Sequence, residues 1–445
     1  MSAAVRLVFV AIIAFTLAAC AQPAHPPDHA ETTAPATVSN ADPKVAEVQG
    51  VLDSFAQAQH AGDTDALEKL IHPNADESFV RREIQRSVSL ASAPIVSWSY
   101  YLADGPEQFL STDAIQHLNA RDVWAPEIRT RYAYDNEVGH ADRPATLFLA
   151  LHGDTWLIAG DTDEHAQSMG VPRKQWSGPW DFDVLSSQTK DSQGIRFVLV
   201  APADMDERLA EIAESLPTVA SEADGFWETP WADEVVIVLA TDSAQLAALA
   251  GGFGNDGDDG NHKGGNIAAV AIANPATSAS PADGQRVIIN TQVFDTLSAD
   301  QRQATLKHEL THVITRSRTA PSTPLWLKEG TADFVGRTGT SIELFDGAPN
   351  AVRMVRQFGP PDSLPRDDHF HADTQSTVLA YELSWSFALF IADEFGPSAV
   401  RETYFAIAET GGGNEAIDRG LREALGIGYA EALTRWSMWW ANNIE

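Results

Sequence analysis

The feature that most restricts what this chain can become is a five-residue run, His308-Glu309-Leu310-Thr311-His312, set in a segment with a clear helix start. Ser298 with Gln301 three residues later forms a capping-box signature, and the pattern predicts a helix over Ala299 to Thr315. Positions i and i+4 share one helix face, so the two imidazoles can converge on one ion. Glu309 then stands about 100° round the axis from His308. That offset lets a carboxylate reach a metal-bound water without being a ligand itself.

A third protein ligand has to come from another segment. A metzincin would need Gly at 315 and His at 318, but these positions hold Thr315 and Arg318, so that class is excluded. Further on stands Pro324-Leu-Trp-Leu-Lys-Glu-Gly-Thr-Ala-Asp-Phe-Val335. Pro324 suits a helix start, and Glu329 and Asp333 then share a face at i and i+4. One carboxylate can bind zinc while the other accepts a hydrogen bond from a ligand imidazole and fixes its tautomer. His308, His312 and Glu329 would make a His₂Glu site with one coordination position left for water, the catalytic rather than the structural pattern.

HELTH followed by Pro-x-Trp-Leu-x-Glu-Gly-x-Ala-Asp resembles the peptidase-MA-like gluzincins, zinc metallopeptidases with the thermolysin-type active-site arrangement. The likeness runs from Gly178-Pro179-Trp180 to the C-terminus, with its specific part at 306–335. It implies His308, His312 and Glu329 as zinc ligands, Glu309 as general base and Asp333 as hydrogen-bond partner behind a ligand. Tyr381, in Ala380-Tyr-Glu-Leu-Ser-Trp-Ser-Phe-Ala-Leu-Phe-Ile391, resembles the Tyr that opens the later helix of this family. It is the candidate oxyanion donor, and a packing role against the motif helix stays open beside that one. Gly330-Thr331-Ala332-Asp333 also resembles the Gly-Thr-x-Asp of aspzincins, in which the Asp is the third ligand; the residues that follow, Phe334, Val335 and Gly336, depart from that pattern. With the gluzincin set, zinc acidifies its water and polarises a peptide carbonyl, Glu309 moves the proton and the oxyanion rests on zinc and Tyr381.

The beginning of the chain bears on its compartment. Residues 1–20 carry one basic residue, Arg6, and a 13-residue apolar run from Leu7 to Ala19, too short to span a bilayer and shaped like a secretory signal. The only cysteine closes Leu17-Ala18-Ala19-Cys20, which resembles the lipobox of bacterial lipoproteins. The resemblance implies cleavage before Cys20, lipid on its sulfur, and an extracytoplasmic protein tethered to the outer face of the cell membrane. The mature chain would hold 29 Lys+Arg against 62 Asp+Glu, a net charge of −33. Such a body would not adhere to anionic lipid and would repel a phosphate backbone, so the anchor is the lipid and nucleic acid is not a partner. A single cysteine also excludes a disulfide framework and a Cys-rich zinc module.

The length of 445 residues suits two folded domains. After the signal (1–19), the lipidated cysteine and a Pro/Ala/Thr-rich tether (20–43) lead into a first domain at 44–165. Val45, Val48, Leu52 and Phe55 recur at helical spacing, a short helix follows over Asp65 to Ile71, and strands are expected at Ile95 to Leu102, Ile128 to Tyr134, Thr146 to Leu151 and Trp156 to Ala159. Two helices and then an antiparallel sheet is an α+β pattern, and its Trp-bearing hairpin is similar to the SnoaL-like cone fold. The second domain, 175–445, is expected to be a thermolysin-like zincin: a mixed sheet with the motif helix, then a mostly helical C-terminal lobe. Its strands are expected at Arg196 to Val200, Glu234 to Leu239, Asn266 to Ala273 and Arg286 to Asn290. Its early helices are expected over Ala203 to Leu216, stopped by Pro217, and Ser243 to Ala250.

Two other clusters carry weaker signals. Gly251 to Gly265, with Asp256, Asp258 and Asp259, reads as a Gly-rich loop bordering the cleft rather than a calcium loop, because the EF-hand spacing and late Glu are missing. His369 and His371 would lie on one side of an extended, solvated segment. The reading that results is a lipid-anchored zinc metalloendopeptidase cleaving protein or peptide substrates. Two others stay open: a zinc-bound but catalytically weak envelope protein that binds partners through the cleft or the cone, and a metal-free binding lipoprotein.

Overall fold

A computed structural model describes residues 43–108, 110, 112–135, 137, 139–162, 176–230, 233–251, 267–274 and 283–444. The signal segment, Cys20, the tether up to residue 42 and the Asp-bearing part of the Gly-rich run lie outside the described residues.

The chain is α+β. Helices α1 (Pro43–Ala61), α2 (Thr64–Lys69) and α3 (Glu77–Ser92) come first. They are followed by β1 (Ile95–Leu102), α4 (Thr112–Leu118), β2 (Val123–Trp124), β3 (Ile128–Tyr134), β4 (Ala141–Ala145), β5 (Leu147–His152) and β6 (Thr155–Asp161). The strands form two antiparallel three-stranded sheets, ordered β1-β3-β4 and β2-β5-β6, and Gly153 at φ +63° turns β5 into β6. Three helices stand where two were expected. The additional one, α3, buries Glu83, Arg86, Ser87 and Ser89, and Arg86 donates to both Glu83 oxygens at 2.8 Å. Buried Phe79 and Leu90 are separated on that face by these polar and charged residues, so the apolar period is interrupted and the helix escapes a search for it.

The second sheet region is mixed. Strands β7 (Leu185–Ser192), β8 (Ile195–Pro202), β9 (Glu234–Ala240), β10 (Ala269–Ile272) and β11 (Arg286–Asn290) are ordered β10-β11-β9-β8-β7. The inner pairs β11–β9 and β9–β8 are parallel, and the two outer pairs are antiparallel. Alternation divides each inner strand between two cores. Phe197, Leu199, Val235, Ile237, Val287 and Ile289 face the helices, whereas Val198, Val200, Val236, Val238 and Ile288 join the core of the amino-terminal region. Trp180 closes that second core, with its ring 5.1 Å from Trp98, 4.9 Å from Tyr132 and 5.8 Å from Trp176.

Between β8 and β9 runs α5 (Asp206–Trp227), which continues through Pro217 instead of stopping there. An internal proline costs roughly 3 kcal/mol. Val219, Ala220, Ala223 and Trp227 extend the stripe of Leu209, Ile212, Ala213 and Leu216 into the core, and their burial outweighs that cost. After α6 (Ser243–Leu249) and β11 the described chain is helical: α7 (Thr291–Phe294), α8 (Ala299–Thr315), α9 (Leu325–Arg337), α10 (Leu344–Gly347), α11 (Pro349–Phe358), α12 (Thr374–Phe395), α13 (Pro397–Ala408), α14 (Asn414–Leu425) and α15 (Tyr429–Asn443), with short 3₁₀ turns between some of them. The 367–371 segment is one such 3₁₀ turn, not an extended strand: Phe370 is buried, His369 is half-buried and Asp367 caps the start of α9.

Candidate metal centre

Two helices crossing at close range build the site. Helix α8 starts on the expected capping box: Gln301 N donates to Ser298 Oγ at 3.2 Å, and Ser298 N donates to Gln301 Oε1 at 2.9 Å. Helix α9 begins after Pro324, where Leu325 N donates to Asp367 Oδ1 at 2.8 Å. Glycines permit the crossing. A Cβ on Gly336 would lie 2.6 Å from the Ala304 carbonyl oxygen of α8, and one on Gly330 would lie 2.4 Å from the Ser384 carbonyl oxygen of α12. Both contacts are with backbone, which cannot move aside as a side-chain tip can.

This packing brings His308, His312 and Glu329 together in the interior. His308 Nε2 and His312 Nε2 are 3.1 Å apart, and each is 3.4 Å from Glu329 Oε2. Metal–nitrogen and metal–oxygen bonds of about 2.0–2.1 Å in a tetrahedron give ligand–ligand edges of roughly 3.3–3.4 Å. The three observed edges therefore fit one small cation bound by all three atoms. Asp333 lies on the other side of His308, with Oδ1 3.0 Å from Nδ1. It meets the imidazole behind the convergent face, so Glu329, not Asp333, completes the triad of atoms. When an ion displaces the Nε2 proton, a ring that donates Nδ1–H to Asp333 offers its Nε2 lone pair to that ion.

A further residue extends this chain. Arg337 Nη2 donates to Asp333 Oδ2 at 3.0 Å, Nη1 donates to the Gly347 carbonyl at 2.9 Å, and the guanidinium lies 4.1 Å over the Trp385 ring. Sequence reasoning left Arg337 out, although its i+4 spacing from Asp333 was a usable signal.

Burial and charge divide the two imidazoles. Burial alone would depress His308, but its hydrogen bonds to Asp333 and Glu329 outweigh that and raise it to about 10. Burial pulls His312 down to about 4, only partly opposed by Glu329. The Glu329 carboxyl is held well below the carboxylate range because the two imidazoles outweigh its burial. In Glu309, burial pushes the carboxyl up to about 7 against the pull of His308, and a hydrogen bond with the Ala271 backbone also favours its ionised form. Tyr381 sits in the second turn of α12, buried, with Phe370 5.1 Å from its ring. Burial, then the carboxylates of Glu329, Asp333 and Glu309, hold its phenol far above the usual value, and it hydrogen-bonds with Glu329. All six residues expected from the sequence around the metal thus share one buried neighbourhood.

No protein-family model matches the chain, and no curated protein does so. Among solved structures the chain is similar to Legionella pneumophila aminopeptidase A in complex with aspartic acid, at a TM-score of 0.36 and 10% identity over 77% of this chain and 33% of that one. It is also similar to an M1 zinc metallopeptidase from Deinococcus radiodurans, at a TM-score of 0.31 and 14% identity over 57% of this chain and 51% of that one. The chain thus spans about a third of the first of these proteins and about half of the second. Likeness of this degree assigns neither fold nor activity, and the geometry of the site bears the functional reading.

Proposed function

We propose that this chain is a zinc metallopeptidase of gluzincin type, with His308, His312 and Glu329 as metal ligands. One observation carries the reading: three ligand atoms with edges of 3.1, 3.4 and 3.4 Å, beside the buried carboxyl of Glu309. A zinc ion held there supplies a Lewis acid and an acidified water at neutral pH. Glu309 would serve as the general base, taking a proton from the attacking water and returning it to the departing amine. Asp333, held by Arg337, keeps His308 in the tautomer that presents Nε2. Tyr381, buried beside Glu329, would donate a hydrogen bond to the oxyanion of the tetrahedral intermediate.

The proposal includes location and layout. Cleavage before Cys20 and its lipidation would anchor the mature protein outside the cytoplasm, with protein or peptide substrates there. Residues 44–165 would form one unit and 175–445 the catalytic one. We read the first as a scaffold rather than a free ligand cone, because Trp98 and Tyr132 on its sheets are covered by Trp176 and Trp180.

The test is a peptide-mixture digest by zinc-loaded protein, wild type beside Glu309→Gln. The expected result is cleavage by wild type, and a loss of about 10²–10⁴-fold in the variant at unchanged zinc content. Equal cleavage by both proteins would remove Glu309 from the mechanism.

A further inference from the structure

Most buried or partly buried arginines among the described residues meet a carboxylate. Arg86, Arg286 and Arg337 each meet a carboxylate: Arg86 pairs with Glu83 and Asp181, Arg286 with Glu137 and Arg337 with Asp333. Arg143 and Arg316 do not. Arg143, 7% exposed, spends Nη1 on the Asp142 carbonyl at 3.0 Å and on Asn274 Oδ1 at 2.7 Å, while its Nη2 is buried without a hydrogen-bond partner. Arg316, partly buried, donates from Nη2 to the Ala271 carbonyl at 3.0 Å. Neither forms an ion pair with a carboxylate among the described residues. The chain has 62 acidic residues against 30 basic ones, so counter-ions are not scarce. Burying a guanidinium without an opposite charge costs several kcal/mol, and such a cost is retained where a ligand supplies the missing charge.

Both arginines hold the same end of the same edge strand. Asn290 N donates to the Ala268 carbonyl, so the antiparallel alternation turns Ala271 away from β11 and toward the open side of β10. Arg316, which caps α8 and opens the 3₁₀ turn after it, reaches Ala271 from a position seven residues beyond Glu309. Arg143 reaches Asn274, three residues along, from β4, and lies 5.7 Å over the Trp176 ring. Arg143 is one of the charges holding the Arg316 guanidinium down, after burial, and Glu309 is the first charge that opposes this.

We propose that Arg143 and Arg316 form a subsite for a substrate carboxylate next to Glu309, so that the cleft selects peptides carrying an acidic side chain or a free C-terminus near the cleaved bond. The inference rests on the peptidase reading for what the ligand is. Each guanidinium keeps N–H donors in a planar fork suited to a carboxylate. In an otherwise acidic protein, two guanidiniums without a carboxylate partner supply the positive charge that an anionic peptide group requires.

The test reads binding, not turnover. Zinc-reconstituted Glu309→Gln protein is titrated by tryptophan fluorescence with N-acetyl tetra-alanine bearing a free carboxylate or a carboxamide, and with that amide carrying Glu or Gln as its third residue. At least one anionic peptide is expected to bind about tenfold tighter than its neutral partner. The arm that shows it distinguishes a C-terminus from a side chain. Adding Arg143→Met or Arg316→Met should cut the preference to below about threefold at an unchanged melting temperature, and the Lys variants, which keep charge without the fork, should recover part of it. Equal binding of anionic and neutral peptides in both arms overturns the proposal whatever the variants do. So does a preference that survives both Met substitutions. Wild-type protein that shows the preference and hydrolyses nothing would remove the peptidase reading alone.

Discussion

His308 divides its work between two nitrogens. Nε2 joins His312 and Glu329, and Nδ1 is fixed by Asp333, which Arg337 holds in turn. Replacing Asp333 by Asn keeps the size but weakens that hold, and zinc affinity is expected to fall about 10–100-fold in competition with a chelator. Unchanged affinity would make Asp333 a bystander. The residues that could be read from the sequence are those whose chemistry follows from spacing on one helix: His308, Glu309 and His312 on the first, Glu329 and Asp333 on the second. Arg143 and Arg316 could not be read, because their meaning lies in which carboxylates they lack. That is fixed by the packing of β4 and α8 around β10, elements distant in the sequence.

Helices assemble the site through contacts that only small residues allow. Gly330→Ala would place a methyl 2.4 Å from the Ser384 carbonyl oxygen and force α9 and α12 apart. The expected loss is about 1–3 kcal/mol of stability, seen as a lowered melting temperature, together with weaker zinc binding as Glu329 shifts. A melting temperature at or above wild type would contradict this close approach. Element boundaries were legible where apolar period and caps agree, as at α8, whose observed span is the expected Ala299–Thr315. They were misread where tertiary packing overrides local preference. Pro217 sits inside α5 because the stripe beyond it is buried, α3 hides its helical face behind an ion pair, and β7 is a largely polar edge strand.

At the scale of the molecule, the amino-terminal region and one face of the mixed sheet share a core. A shared core predicts one calorimetric unfolding transition for residues 43–445, and Trp180→Ala at its centre should cost about 3–5 kcal/mol. Two separated transitions would mean independent domains. The α+β class and the helical C-terminal part were legible from the order of periodic segments. The joining of the two regions was not, since Trp176 and Trp180 carry no periodic signal and act through Trp98 and Tyr132, far away in sequence. Everything proposed for function depends on one ion, so the most direct measurement is zinc per chain on protein purified from residue 21 onward, wild type beside His308→Ala and Glu329→Ala. About one zinc in wild type, with a large loss in both variants, is the expected result; no zinc in wild type after reconstitution would contradict the metal centre and the peptidase reading with it.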